Sequence, residues 1–261
     1  MRWQKGIVAI CFVLTLLSAG RVCYGAPVQT SEAVNDQRAR EVVDRVGRLF
    51  SAKSSIATLR LEISNESGQR NLSMKIWSLG ERILVRIQSP PGEAGTAVLK
   101  VGNEIWYYLP KTRRTVKVPA SMTMTSWMGS DFTIDDLVKE PFLTRDYSIA
   151  TSFKGNRGGV AVDEYTLTPK PDAAVVWGRI ILQIRRDNSM PAWQGYYDED
   201  GHLVRELFFS EYKTMSGSLI PMRLVMRSAV KPGHQTTIVY DNIAFDVPIG
   251  GETFSLPNLE Q

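Results

Sequence analysis

The stretch 59–88, LRLEISNESGQRNLSMKIWSLGERILVRIQ, decides the fold class. Leu59, Leu61 and Ile63 alternate with Arg60 and Glu62, and Leu72, Met74 and Ile76 alternate with Ser73 and Lys75. Ile83, Val85 and Ile87 follow, with Arg82, Arg86 and Gln88 nearby. A period of two puts alternate side chains on opposite faces of a strand. The connections NESGQ and LGE are too short for anything but antiparallel neighbours. The spacing predicts a meander with one apolar face and one wet face, rather than βαβ units.

The same texture continues toward the C-terminus. TAVLKV, EIWYYLP and RRTVKVP are joined by VGNE and PKTR, and the pattern then breaks between Ala120 and Leu143. It resumes in DYSIATSFKG, VAVDEYTLTPKP, WGRIILQIRR, PAWQGYYDE, HLVRELFFSEY, SLIPMRLVMRS and QTTIVYDNIAFD, with NRGG, DNSM, DEDG and KPGH between runs. The count is about eleven strands, thirteen at most. So many strands do not stay flat, so a single sheet curling into an incomplete barrel is expected. Upstream, Ala39, Val42, Val43, Val46, Leu49 and Phe50 fall at helical spacing, with Arg38, Arg40, Glu41, Asp44, Arg45 and Arg48 on the other side. That is an amphipathic helix of about four turns, expected to pack on apolar surface.

The N-terminus reads as a secretory signal. Arg2 and Lys5 form the basic part, Ile7 to Ala19 the apolar part, and Cys23-Tyr24-Gly25 presents small residues for cleavage after Gly25. The apolar run is shorter than the ~20 residues that span a bilayer, and Arg21 follows at once. Gly20, Arg21 and Val22 before Cys23 do not make a lipobox. The expected mature chain is therefore one domain over 26–261, without a stable membrane anchor. It loses Cys11 and Cys23, the only cysteines, and so has no disulfide, Cys-held metal or Cys nucleophile. It also loses three of the 31 basic residues and none of the 27 acidic ones, so the precursor's +4 nearly vanishes. No basic cluster interleaved with aromatics speaks for nucleic acid.

Few residues offer catalysis. His202 and His234 sit in the turns DEDGH and KPGH without a third ligand at metal spacing. DEDG reads as a hairpin turn, because the acidic series of a calcium loop does not continue past Gly201. No nucleophile elbow, P-loop or dinucleotide fingerprint is present. Asp131, Asp135 and Asp136, with Glu140 beyond, could form an acid–base pair, but the first turn of a helix attracts Asp without catalysis. Thr133 and Asp136 also have capping-box spacing. No catalytic residue, metal or cofactor is assigned. What the irregular segment does carry is adaptable apolar surface: Met122, Met124, Trp127, Met128 and Phe132. It could simply cap the barrel as core, or it could cover a binding cavity.

The segment SWMGSDFTIDDL, and within it Gly129, Ser130, Asp131, Phe132, Asp135, Asp136 and Leu137, resembles the G-S-D-[FY]-[ST]-x-[ED]-D-[LM] motif of the outer-membrane lipoprotein-sorting (LolA-like) family. YYLPKTRRTVKVP, LTPKP and YDNIAFDVPIGGETFSLPNL are similar to further family patterns in the same order. The resemblance implies an open, strongly curved barrel whose apolar side is covered by helices. It further implies a periplasmic carrier of lipoprotein or lipid acyl chains, with an inner-membrane exporter and an outer-membrane acceptor as partners. In such carriers an arginine holds the lid, and the sequence alone singles out none here. Within that frame the expected lid is Val42, Val46 and Phe50 with Met122, Met124, Trp127, Met128, Phe132 and Leu137. Strand parity gives the expected cavity wall as Leu61, Met74, Ile76, Val85, Trp106, Leu182, Met222 and Leu224, where a one-residue slip would reverse a strand. The alternatives are a sensor or scaffold on the same fold contacting an inner-membrane protein, and a hydrolase built on Asp131.

Overall fold

Alternating strands joined by tight turns pair with their sequence neighbours, and the computed structural model bears this out throughout residues 31–50, 52–138 and 143–261, the residues it describes. A helix, α1 (Ser31–Gly47), leads into β1 (Ser54–Asn65), β2 (Gly68–Leu79), β3 (Arg82–Ser89), β4 (Ala97–Val101), β5 (Glu104–Leu109) and β6 (Arg114–Lys117). Short helices α2 (Ile134–Val138) and α3 (Leu143–Asp146) precede β7 (Tyr147–Arg157), β8 (Val160–Pro169), β9 (Arg179–Arg185) and β10 (Pro191–Tyr197). Then come β11 (Leu203–Met215), β12 (Ser218–Ser228), β13 (Gln235–Phe245) and a last turn of helix, α4 (Leu256–Leu259). The predicted export signal lies outside the described residues.

All the strands belong to one curved sheet of 13, in the order β6-β5-β4-β3-β2-β1-β13-β12-β11-β10-β9-β8-β7, which is not closed into a barrel. Thirteen strands is the upper end of the expected count, slightly above the figure of about eleven. Two meanders, β1–β6 and β7–β13, meet where β1 pairs antiparallel with β13. This leaves β6 and β7, which are consecutive in sequence, at opposite free edges. The connection between them has to cross the trough. That connection is the irregular segment, so the topology explains why the period-two pattern fails there.

Two apolar clusters fill the inner face. Leu59, Leu61, Ile63, Leu72, Met74, Val85, Ile87 and Val98 gather with Trp127, Phe132 and Ile134 of the crossing segment. On the other side α1 lays Ala39 and Val43 against Tyr147, Ile149, Tyr165, Leu167, Ile180 and Leu182. The helix is tied down as well: Thr144 of α3 donates from its Oγ1 to Asp44.

The expectation of one wet face fails at β3–β5. Leu84, Ala97, Leu99 and Tyr108 point outward from the trough and are buried under Phe254 and Leu259 of the C-terminal turn and α4. Arg86 donates to the carbonyl of Asn258, and the Arg82 guanidinium lies over the Phe254 ring. In this quarter the sheet is buried on both faces.

Candidate ligand cavity and its lid

Between the two inner clusters the trough is not filled. A cavity of about 540 Å³ remains, within the roughly 300–1,000 Å³ of small-molecule pockets. Its wall includes Ala57, Leu59, Leu61, Met74, Ile76, Leu207, Leu224 and Tyr240 from the sheet. Its cover includes Val46 from the end of α1, Phe50 from the turn after it, and Met124 and Phe132 from the crossing segment. Phe50 stacks on Tyr240, ring centres 5.0 Å apart and nearly parallel. Polar groups also reach the lining, among them Asp135, Asp136, Gln194 and Arg205.

The crossing segment is built as a clasp. Ser126 bridges to Thr133, the Trp127 amide donates to the Phe132 carbonyl at 2.8 Å, and the Ser130 amide to the Trp127 carbonyl at 2.9 Å. The tight return passes through Met128 and Gly129, both left-handed at φ +55° and +76°, which suits glycine at the second position. Ser130 is buried, and its hydroxyl bonds the backbone of Phe132. Then Thr133 and Asp136 form the expected capping box: the Thr133 amide donates to Asp136 at 2.8 Å, and the Asp136 amide to the Thr133 hydroxyl at 3.1 Å.

This clasp is fastened to both halves of the sheet. On one side Arg70 of β2 donates to the Met128 carbonyl at 2.9 Å and the Tyr107 hydroxyl of β5 meets the Met128 sulfur at 2.8 Å. Arg70 is itself paired with Glu93. On the other side the Thr236 hydroxyl of β13 donates to the Asp131 carboxylate at 2.7 Å and accepts from the Asp131 amide at 2.9 Å.

The strongest fastening is Arg205 of β11. Its two terminal nitrogens each lie 2.8 Å from one oxygen of Asp136, a bidentate pair. The guanidinium is 8% exposed and the carboxylate side chain 22%. It is sandwiched between the rings of Tyr196, 4.4 Å away and directly opposite in the β10–β11 register, and Trp177, 4.7 Å away. Buried cation–π contacts of this kind are worth about 2 kcal/mol. Burial alone pushes the Asp136 carboxyl up, but the hydrogen bonds and charge of Arg205, helped by Thr133, more than offset it. The group is held below its ordinary value. Burial likewise opposes the charge on Arg205, and Asp136 outweighs it, so the guanidinium is stabilised as a cation. Burial pushes the Tyr196 phenol up to about 12, so it stays neutral beside the pair.

Solved structures share this architecture. A DUF1329-family protein from Desulfovibrio piger is 20% identical over 86% of this chain and 99% of its own, with a TM-score of 0.76. A domain named for outer membrane lipoprotein sorting from Vibrio parahaemolyticus is 20% identical over 87% of this chain and 100% of its own, at 0.74. A LolA superfamily protein from Nitrosomonas europaea is 17% identical over 84% of this chain and 98% of its own, at 0.69. A family model described only as "uncharacterized protein" matches residues 80–261, which hold the Gly129–Leu137 motif, Arg205 and Thr236. The chain belongs to the family that this model describes, and it shares the fold of the LolA superfamily and lipoprotein-sorting structures. The search of curated proteins returns no match.

In this LolA-like fold the sequence-derived residues divide. Of the expected wall, Leu61, Met74, Ile76 and Leu224 line the cavity. Val85 lies in the adjoining inner cluster, beside the clasp. Met222 does not line the cavity itself but packs with Ala57 and Ile243, which do, and Leu182 lies beneath α1. Trp106 goes to the other side of the sheet, against the cluster under α4. Its strand has apolar residues at both parities, with Ile105 and Tyr107 facing inward, so alternation gave no orientation.

Of the expected lid, Val46, Phe50, Met124 and Phe132 line the cavity, and Val42 on α1 packs against the apolar cluster beneath that helix. Trp127 is buried and Met128 packs against the same inner cluster, whereas Met122 is 50% exposed and points away. The Leu137 side chain and Glu140 fall outside the described residues. Asp131 and Asp136 hold the clasp to the sheet, and two arginines reach it: Arg70 at the Met128 carbonyl and Arg205 at the Asp136 carboxylate. The sequence did contain a sign of the latter: Leu203, Arg205 and Leu207 share one face of HLVRELFF. A charge on an apolar face demands a partner. Asp198, Asp200 and His202 lie close enough to hold a cation, in the exposed turn already read as a hairpin.

Proposed function

We propose that this protein is a non-enzymatic periplasmic carrier that takes the acyl chains of lipoproteins or lipids into its trough and moves them between the inner and outer membranes. The observation that carries the reading is an apolar cavity walled by the sheet and roofed by a segment that polar clasps, rather than apolar packing alone, hold in place. Burying acyl chain is worth about 0.8 kcal/mol per CH₂. A permanently open trough would hold its cargo too tightly to deliver it. A roof that must first be unlatched subtracts its own closing energy from the cargo's affinity and leaves room for an acceptor to compete.

The names of the structural neighbours support lipoprotein sorting as the field of action, with an inner-membrane donor and an outer-membrane acceptor as the partners such a route requires. In this reading residues 1–25 are the export signal and 26–261 the carrier domain. A sensor or scaffold would favour a trough filled by its own side chains, and the open cavity counts against it.

The test is mass spectrometry of an organic extract from protein purified from periplasm. Lipid or acylated peptide recovered in near-stoichiometric amount is expected. Lipid-free protein that also fails to bind a fluorescent fatty acid would sink the reading.

A further inference from the structure

We propose that Asp136 occupies the place of a ligand's anionic head group, and that the cavity therefore selects acyl ligands that end in a carboxylate or phosphate over uncharged ones. The inference rests on the acyl-carrier reading and names the class of ligand.

Arg205 is fixed from the sheet side: it belongs to β11, faces Tyr196 across the β10–β11 register, and is stacked on both sides by rings. Asp136 is fixed from the lid side. When the clasp lifts, Asp136 and its neighbour Asp135 leave the cavity together, while Arg205 stays. An arginine cannot shed its proton, so a guanidinium buried in the lining of an apolar cavity would stand uncompensated. A neutral ligand does nothing for it. An anionic head restores the bidentate pair that Asp136 made. Among the described residues the Arg205 Nε has no hydrogen-bond partner, a donor that Asp136 does not use. The lid and an anionic ligand thus compete for one site, and the ligand's charge contributes to opening.

Calorimetric titration of the full mature protein with decanoate, decyl phosphate and decanol tests this. The anionic ligands should bind at least tenfold more tightly than decanol, and whichever anion is tighter identifies the head-group source. Arg205→Gln should bring the anions down to the level of decanol, and Asp136→Asn should tighten the anions while leaving decanol within about twofold. Decanol binding as tightly as both anions to the unmodified protein overturns the inference and leaves the carrier reading standing. If none of the three binds, both fall.

Discussion

Removing one member of the Arg205–Asp136 pair should cost far more than removing both. Asp136→Ala leaves a permanent cation buried between Trp177 and Tyr196, and breaking a buried pair this way typically costs about 3–5 kcal/mol. The double change Arg205→Met with Asp136→Leu removes both charges and should recover most of that loss, as apolar replacements of buried pairs commonly do. Urea unfolding of the two variants beside the unmodified protein checks it, and equal losses in single and double variants would mean the charges do not offset each other. Gly178 supports the same site from behind. A Cβ there would fall 2.5 Å from the Asp198 carbonyl oxygen and 2.7 Å from the Glu199 Cα, both backbone atoms that cannot swing aside. Gly178→Ala should therefore cost about 1–3 kcal/mol and displace the neighbouring Trp177 ring from Arg205, visible in its fluorescence. Arg205 could have been suspected from its in-facing position. Its partner could not, because 69 residues separate the two and only the fold brings them together. Gly178 carried no sign at all.

The clasp is an element whose stability depends on pH. Asp136 has a folded value below its ordinary 3.8, so its contribution is complete above that value and is lost as pH falls through the lower folded-state value. Hydrogen exchange followed from pH 7 downward should show residues 123–136 losing protection below the ordinary carboxylate range, before the central strands do. In the Arg205→Met protein that step should shrink, because the larger of the causes that lower the value is gone and only the Thr133 bonds remain. Thr236→Val removes the second tie, to Asp131, and should raise exchange in the same residues at neutral pH at a cost of about 1 kcal/mol. The existence of this element was legible as a break in period two. Its apolar content announced a cover, and the Thr133–Asp136 spacing announced the cap. Apart from Arg205, the ties to the sheet were not legible, since Arg70, Tyr107 and Thr236 look in sequence like ordinary residues of alternating strands.

At the scale of the whole molecule, the curved sheet follows from regular alternation, but its second apolar face does not. Trp77, Leu84, Leu99, Trp106 and Tyr108 sit at positions that alternation reserves for water, and the C-terminal turn and α4 cover them. Phe254→Ala should cost about 3–5 kcal/mol by leaving a cavity in that cover, whereas the same change at the exposed Leu256 should cost little. Equal melting temperatures for the two variants would contradict the packing described. The route of the chain across the trough has a mechanical side too. Residues 118–146 join the two rims. Drawn straight, a segment of that length reaches on the order of 100 Å, several times the ~30 Å breadth of a small domain. Most of it is therefore spare rope, coiled into the Ser126–Thr133 loop and two short helices. In the carrier reading proposed above, that slack lets the segment pay out, once its knots are slipped, without tugging on either rim, and the trough is uncovered with the strand ladder left in place.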